Sequence, residues 1–310
     1  MTMALEGLHH ITAITADAPR NVDFYARVLG LRLVKKTVNF DQPDVYHLYF
    51  GDERGDPGSI LTFFEFPGAA LGQAGDGMVH TIQWRVASDG ALDFWAARLA
   101  DADVATERTE DGALAFADFE GLRHELLAVA VDDAPLAAHA PDIPAEHALL
   151  GFHGVRAYAS RPEASTSLLE AIGFTHDGGA DWTLRGEQRH AVLRYDASPE
   201  RRGVTSAGTV HHVAWSAADD AELAAVRAQA VEAGARATEI IDRQYFHSVY
   251  FREPSGVLFE LASRDIGFEY DEPLESLGEA LKLPPQYEAR REELEHALTP
   301  FTNPRAGTTA

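Results

Sequence analysis

The chain alternates between two hydrophobic periods. Residues 8–14, "LHHITAI", alternate and carry Ile and Thr, as a half-buried strand does. From Asn21 the apolar residues Val22, Tyr25, Val28 and Leu29 fall at helical spacing, and Gly30 follows as a stop. Three more strand-like runs come next: "LRLVKKTVNF", "VYHLYFGD" and, after the turn "ERGDPGS", "ILTFFEF". These runs predict one βαβββ unit.

The same order recurs three times. "MVHTIQWRVA", "GFHGVRAYAS" and "TVHHVAWSAA" each open a unit, and each is followed by a helical pattern and further strands. Internal repetition of this kind means one supersecondary unit used several times. The modules fall near 5–67, 77–130, 150–196 and 207–265. They predict an α+β fold of four βαβββ modules forming two half-barrel-based domains, 1–135 and 150–265, with two modules in each. The stretch "AVDDAPLAAHAPDIPAEHALL" between them reads as an inter-domain linker. Residues 266–310 form a C-terminal tail, with a helix expected in "PPQYEARREELEHAL".

The repeat lets each module serve as a control for the others. The openings align without gaps: Leu8-His9-His10, Val79-His80-Thr81, Phe152-His153-Gly154 and Val210-His211-His212. The first histidine is present in all four modules, which suggests structure or ancestry. At the second position only His10 and His212 could bind a metal. The closing strand "SGVLFELAS" places Glu260 in an apolar run. An ionised carboxylate facing a core is costly unless it is paired or metal-bound. Glu125 holds the matching place in module two and Thr62 in module one.

One complete constellation follows: His10, His212 and Glu260. Two imidazoles and a carboxylate form the facial triad of non-haem Fe(II) sites. Hydrogen-bonded histidines at a domain seam are the plainer alternative. The joint pattern favours the metal, because modules two and three lack it. His153 competes for a place, but it aligns with the first histidine, and a one-residue slip along a strand turns a side chain to the opposite face. Glu125, without a partner histidine in module three, reads as paired or vestigial. His47 shares parity with Tyr49 and is expected near the site, whereas His247 should face away. His124, His139, His147, His176, His190 and His296 read as solvent-facing.

Composition narrows the classes. The 310 residues include 26 basic and 49 acidic ones, a formal charge of −23. Such a surface opposes non-specific contact with nucleic acid or anionic membrane. There are no cysteines, so thiolate ligands and nucleophiles are excluded. No apolar run approaches a bilayer-spanning length and the N-terminus lacks a signal-peptide pattern, so a cytoplasmic location is expected. Self-association into a homo-oligomer is left open.

With these residues placed, the chain resembles the vicinal oxygen chelate superfamily of glyoxalases, bleomycin-resistance proteins and extradiol dioxygenases. More narrowly, it resembles the hydroquinone-type ring-cleaving dioxygenases. The stretches that carry the resemblance run from end to end: "LHHIT", "FYARVLGLRLVKKTV", "YHLYFGDERGDPGSILTFF", "GFHGV", "VHHVAW", "DRQYFHSVYFREPSGVLFE" and "GFEYDEPLESLGEALKLPPQYE". The resemblance implies His10, His212 and Glu260 as iron ligands, and His9, Thr12, His211, Arg243 and Tyr250 as pocket residues. It implies an extradiol-type enzyme with Fe(II), or Mn(II), acting on a small aromatic diol and O₂. Tyr250 and His211 suit proton donation, and Arg243 suits charge stabilisation. His9 and His211 could equally orient the metal ligands. A glyoxalase-type isomerase or lyase on a small carbonyl substrate is the alternative enzyme. A metal-free binding protein is the alternative outside enzymes.

Overall fold

The computed structural model describes residues 5–305. Each module is built as its periodicity predicts. Module one contributes β1 (Leu8–Thr15), β2 (Arg32–Val38), β3 (Tyr46–Gly51) and β4 (Ile60–Glu65), and module two β5 (Met78–Val86), β6 (Thr106–Arg108), β7 (Leu114–Ala117) and β8 (Arg123–Ala128). Module three contributes β9 (Phe152–Ala159), β10 (Phe174–Gly178), β11 (Asp181–Arg185) and β12 (His190–Ala197). Module four contributes β13 (Thr209–Ala217), β14 (Ile241–Asp242), β15 (His247–Arg252) and β16 (Leu258–Ser263).

The helices α1 (Ala18–Val22), α2 (Asp89–Asp101), α3 (Thr166–Ala171) and α4 (Asp220–Glu232) follow the opening strands. Short polar side chains start three of them. Asp17, Ser88 and Asp219 each accept a backbone N–H of the first turn. The first helix begins at Ala18, earlier than Asn21, because Asp17 caps it. It continues as a π-helix over Asp23–Val28.

The sheets group the modules differently from the expected domains. One eight-stranded sheet runs β14-β15-β16-β13-β1-β4-β3-β2, and the other β10-β11-β12-β9-β5-β8-β7-β6. Modules one and four thus share one half-barrel sheet, and modules two and three share the other. The division into 1–135 and 150–265 does not describe the sheets. Each module leaves the free edge of its opening strand unpaired, and β1 satisfies that edge on β13 from the far end of the chain. All four opening strands look alike in sequence, so local pattern does not dictate the choice of partner.

The segment between modules two and three is also more than a spacer. Leu136, Ala140, Ile143 and Leu149 are buried in it. A side chain at Gly30, where φ is +71°, would meet Ile143 Cδ1 at 2.4 Å. The glycine that ends the first helix is therefore also the seat of the linker. His124 is a further correction. It is fully buried, not solvent-facing. Trp84 Nε1–H donates to its Nδ1 at 3.1 Å, and the Tyr25 hydroxyl lies 3.1 Å from its Nε2. Burial lowers its pKa to about 3.

The tail wraps back onto the first half of the chain. Its expected helix appears as a 3-10 turn, Pro285–Arg290, followed by α5 (Arg291–Ala297), with Leu294 and Leu298 in the core. Phe268 and Leu277 join Val34, Tyr49 and Phe246 in a second hydrophobic cluster. Beside it Lys35, fully buried, bonds Asp271 at 2.6 Å and Glu272 at 2.5 Å. Removing one partner of a buried ion pair strands the other. Lys35→Ala is expected to cost about 3–5 kcal/mol of unfolding free energy, read as a lower urea midpoint. A variant within about 0.5 kcal/mol of wild type would mean this clasp does not hold the tail.

Candidate metal centre and its cavity

Consecutive residues on a regular strand point to opposite faces. The paired histidines escape that rule through β-bulges. In the β1–β13 ladder, Leu8 faces Trp215 but His10 faces Ala214, so His9 is an extra residue on β1. Likewise Thr12 faces His212 but Ala13 faces Val210, which makes His211 the extra residue on β13. The second sheet has the same two irregularities, at His80 and His153. The first histidine of every module is thus a bulge residue.

The bulge brings neighbouring imidazoles together. His9 and His10 meet edge to face with Nδ1 atoms 2.9 Å apart, and His211 and His212 do so at 2.8 Å. This sets the tautomers. The Ser263 carbonyl accepts from His9 Nε2–H at 3.1 Å. His9 Nδ1 is then an acceptor, so His10 donates from its own Nδ1. His10 Nε2 is left as a bare lone pair.

That lone pair faces two others. His10 Nε2 lies 3.2 Å from His212 Nε2 and 3.3 Å from Glu260 Oε2, and His212 Nε2 lies 2.9 Å from Glu260 Oε2. Glu260 Oε1 accepts the Ser248 hydroxyl at 2.5 Å. Glu260 Oε2 is buried and receives no well-directed hydrogen bond. All three side chains are buried. Burial acts to raise the Glu260 pKa, but the neighbouring His10 and His212 outweigh it and hold the carboxyl well below its usual range. Burial lowers the pKa of His212 despite the pull of Glu260. Two imidazoles and one carboxylate converging on one point fit a divalent cation, which would replace the proton they otherwise share, and among the described residues this is the one such group.

The corresponding place in the second sheet is filled differently. The Arg156 guanidinium bonds Glu125 at 2.8 Å and Asp196 at 2.7 Å, while Gln83 and His80 cap the same carboxylates. Glu125 is paired, by an arginine. His153 lies in that other sheet and cannot join His212 and Glu260. The parity argument against it fails, because a bulge sits at that residue. The sheet assignment is what separates it from the site.

A cavity of 790 Å³ opens beside the triad. Of the five expected pocket residues, His211, Arg243 and Tyr250 line it. His9 sits behind His10, and Thr12 is buried with its hydroxyl 2.8 Å from that of Thr62. Tyr250 pairs with Glu260 across the β15–β16 hairpin, and the Arg243 guanidinium lies 5.4 Å from the Tyr250 ring centroid. Burial and the Glu260 charge raise the Tyr250 pKa, so its phenol stays protonated. His211 Nδ1 faces the Nδ1 of His212 at 2.8 Å, so once a metal takes His212 Nε2, His212 donates from Nδ1 and the His211 proton is left on Nε2. Partial desolvation at the cavity wall and the neighbouring His212 lower its pKa, although its outer edge is exposed.

His47 reaches the cavity, as its parity suggests. It bonds the Tyr49 hydroxyl and Thr62, each at 2.8 Å. His247 pairs with Asp220 outside the cavity. Sequence reasoning missed Phe246, which packs on His10 at 5.0 Å, and Asp41, which pairs with Arg243 at 3.1 Å. Ser248 was also missed, although it shares parity with Tyr250.

The model of the Glyoxalase/Bleomycin resistance protein/Dioxygenase superfamily matches residues 7–126 and again 147–261, and the chain belongs to that superfamily. Within it, the chain is 41% identical over 95% of its length to MhqO of Bacillus subtilis (strain 168), named "Putative ring-cleaving dioxygenase MhqO", of which 96% is covered. It is 36% identical to the chlorohydroquinone/hydroquinone 1,2-dioxygenase of Sphingobium indicum, over 94% of this chain and 95% of that one. The crystal structure of a dioxygenase so titled, also "putative", from B. subtilis subsp. subtilis str. 168 superposes with a TM-score of 0.90 at 39% identity, covering 97% of this chain and 99% of that one. Glyoxalase I from Zea mays, at 15% identity and a TM-score of 0.59 over 84% of this chain and 92% of that one, shares the fold alone.

The lowered imidazole pKa values have a pH consequence. Protons compete with a metal for an imidazole lone pair, so an ordinary histidine begins to lose affinity for a metal as the pH falls below about 6.5. Burial keeps His212 neutral below that point. Bound metal is therefore expected to stay constant from neutral pH to about pH 6, as read by metal analysis after dialysis. Release centred on about pH 6.5 would contradict a buried His212 ligand of lowered pKa.

Proposed function

We propose that the protein is an Fe(II)-dependent dioxygenase that opens the ring of a hydroquinone or related dihydroxylated aromatic with O₂. The observation that carries this reading is the convergence of His10, His212 and Glu260 on one point at the edge of an apolar cavity. The names of the relatives, ring-cleaving and hydroquinone dioxygenases, support it. In a hydroquinone the hydroxyls stand across the ring. Cleavage at a 1,2 bond therefore involves one hydroxylated carbon, and the extradiol label is not carried over.

Fe(II), when bound, would hold the ring oxygen and O₂ side by side and let electrons pass between them. The protein's own groups do the rest. Phe246 and the cavity's aromatic walls keep the ring in place and exclude water. Arg243, held by Asp41 above Tyr250, supplies a fixed positive charge where negative charge develops on substrate oxygen. His211 offers an Nε2–H to the cavity, and Tyr250, still protonated, offers a second donor. His9 and Ser263 act at a distance by fixing the His10 tautomer.

Two outcomes test this reading. Fe(II)-loaded protein should consume O₂ faster with a hydroquinone than with catechol in an oxygen-electrode assay. A clear preference for catechol would reassign the substrate. Tyr250→Phe keeps the ring and removes only the donor. It should leave metal content unchanged and lower turnover by about 10²-fold or more. Wild-type turnover in that variant would pass the donor role to His211.

A further inference from the structure

The cavity is much longer than one ring. Ile14 lies four residues past His10 on β1, about 13 Å along the strand, and both residues line the cavity. Phe64 pairs with Ile14 on the neighbouring β4, and Phe66 and Ala69 carry the wall further in the same direction. A bare hydroquinone with one oxygen at the triad would fill less than half of this length.

The two ends also differ in chemistry. The charged pair that lines the cavity, Arg243 and Asp41, stands at the triad end, because Arg243 covers Tyr250 and Tyr250 faces Glu260. Ile14, Phe64, Phe66 and Ala69 are apolar, and Phe64 and Phe66 are only half-buried. Apolar surface left open to a cavity is surface that a ligand can bury. Among the described residues five large hydrophobic side chains are exposed, and two of them, Leu71 and Val204, sit on the paired loops that also carry Ala69 and Ser206.

We propose that the preferred substrate carries an uncharged hydrophobic substituent, an alkyl chain or a second ring, which lies along Ile14, Phe64, Phe66 and Ala69. This rests on the hydroquinone reading of the triad end and adds which hydroquinones fit. The substituent points away from the triad along β1 and leaves both hydroxyls at the polar end. A charged substituent would meet no side chain of opposite charge at the far end, only the hydroxyl-bearing Thr205 and Ser206, and would lose part of its hydration there.

The test is binding, measured by anaerobic calorimetry on metal-loaded protein with hydroquinone and with pentylhydroquinone. Each buried methylene tightens binding by about fourfold at most. Pentylhydroquinone should bind more than about tenfold more tightly, well inside the ceiling that five such groups set. In Ala69→Trp, which fills the far end, the ratio should fall towards one. Phe66→Asn, which removes apolar surface without adding bulk, should lower it too. Equal binding of the two compounds to the wild type would overturn the inference and leave the ring-cleavage reading standing. Binding of neither would defeat that reading, and this inference with it. A ratio unchanged in both variants would show that the substituent does not lie at this end.

Discussion

The site depends on one long-range pairing, the antiparallel contact between β1 near the start of the chain and β13 some two hundred residues later. Neither strand alone can assemble the donor set. The pairing sets His10 and His212 on one face, and the parallel contact of β13 with β16 adds Glu260 beside them. The two bulges then turn His9 and His211 onto the same side as their neighbours. The geometry is closed on the protein side by Ser248 and the Ser263 carbonyl, which use up the outward-facing atoms of Glu260 and His9. Three ligand atoms remain, directed inward and with only one another as partners. A buried arrangement of that kind is unfavourable until a cation joins it.

The second sheet is an internal comparison. It has the same strand order, the same bulges and a carboxylate, Glu125, at the same repeat position. There the cation is covalent, the Arg156 guanidinium, which ties Glu125 to Asp196. One framework thus satisfies a buried carboxylate in two ways. The arginine solution closes the face, whereas two imidazoles leave a face on which small molecules can be held. Thr81 and Gly154, standing where His10 and His212 stand, are the sequence mark of that difference.

Much of this was legible from the residues alone. The repeat gave four modules, and comparison of their second positions isolated His10, His212 and Glu260 before any fold was assigned. Hairpin logic placed Tyr250 opposite Glu260, the register that is found. What stayed hidden was long-range or irregular. Four similar opening strands do not say which pairs with which, so the β1–β13 and β5–β9 pairings are not readable from them. A bulge adds one residue to a period-two pattern without any residue type that announces it. His124 looked polar and exposed because its partners are distant in the chain, Trp84 on another strand of its own module and Tyr25 on the first helix of module one. Lys35 in "LVKKTV" carries no local mark of its burial, because the partners that bury it, Asp271 and Glu272, lie in the tail.

The most direct test is anomalous diffraction at the iron edge from crystals grown of the Fe(II)-loaded protein under nitrogen. A single strong peak is expected about 2 Å from each of His10 Nε2, His212 Nε2 and Glu260 Oε2. A peak beside His80, Glu125 or His153 instead, or none at the triad in crystals shown to contain iron, would contradict the assignment of these three side chains to one metal.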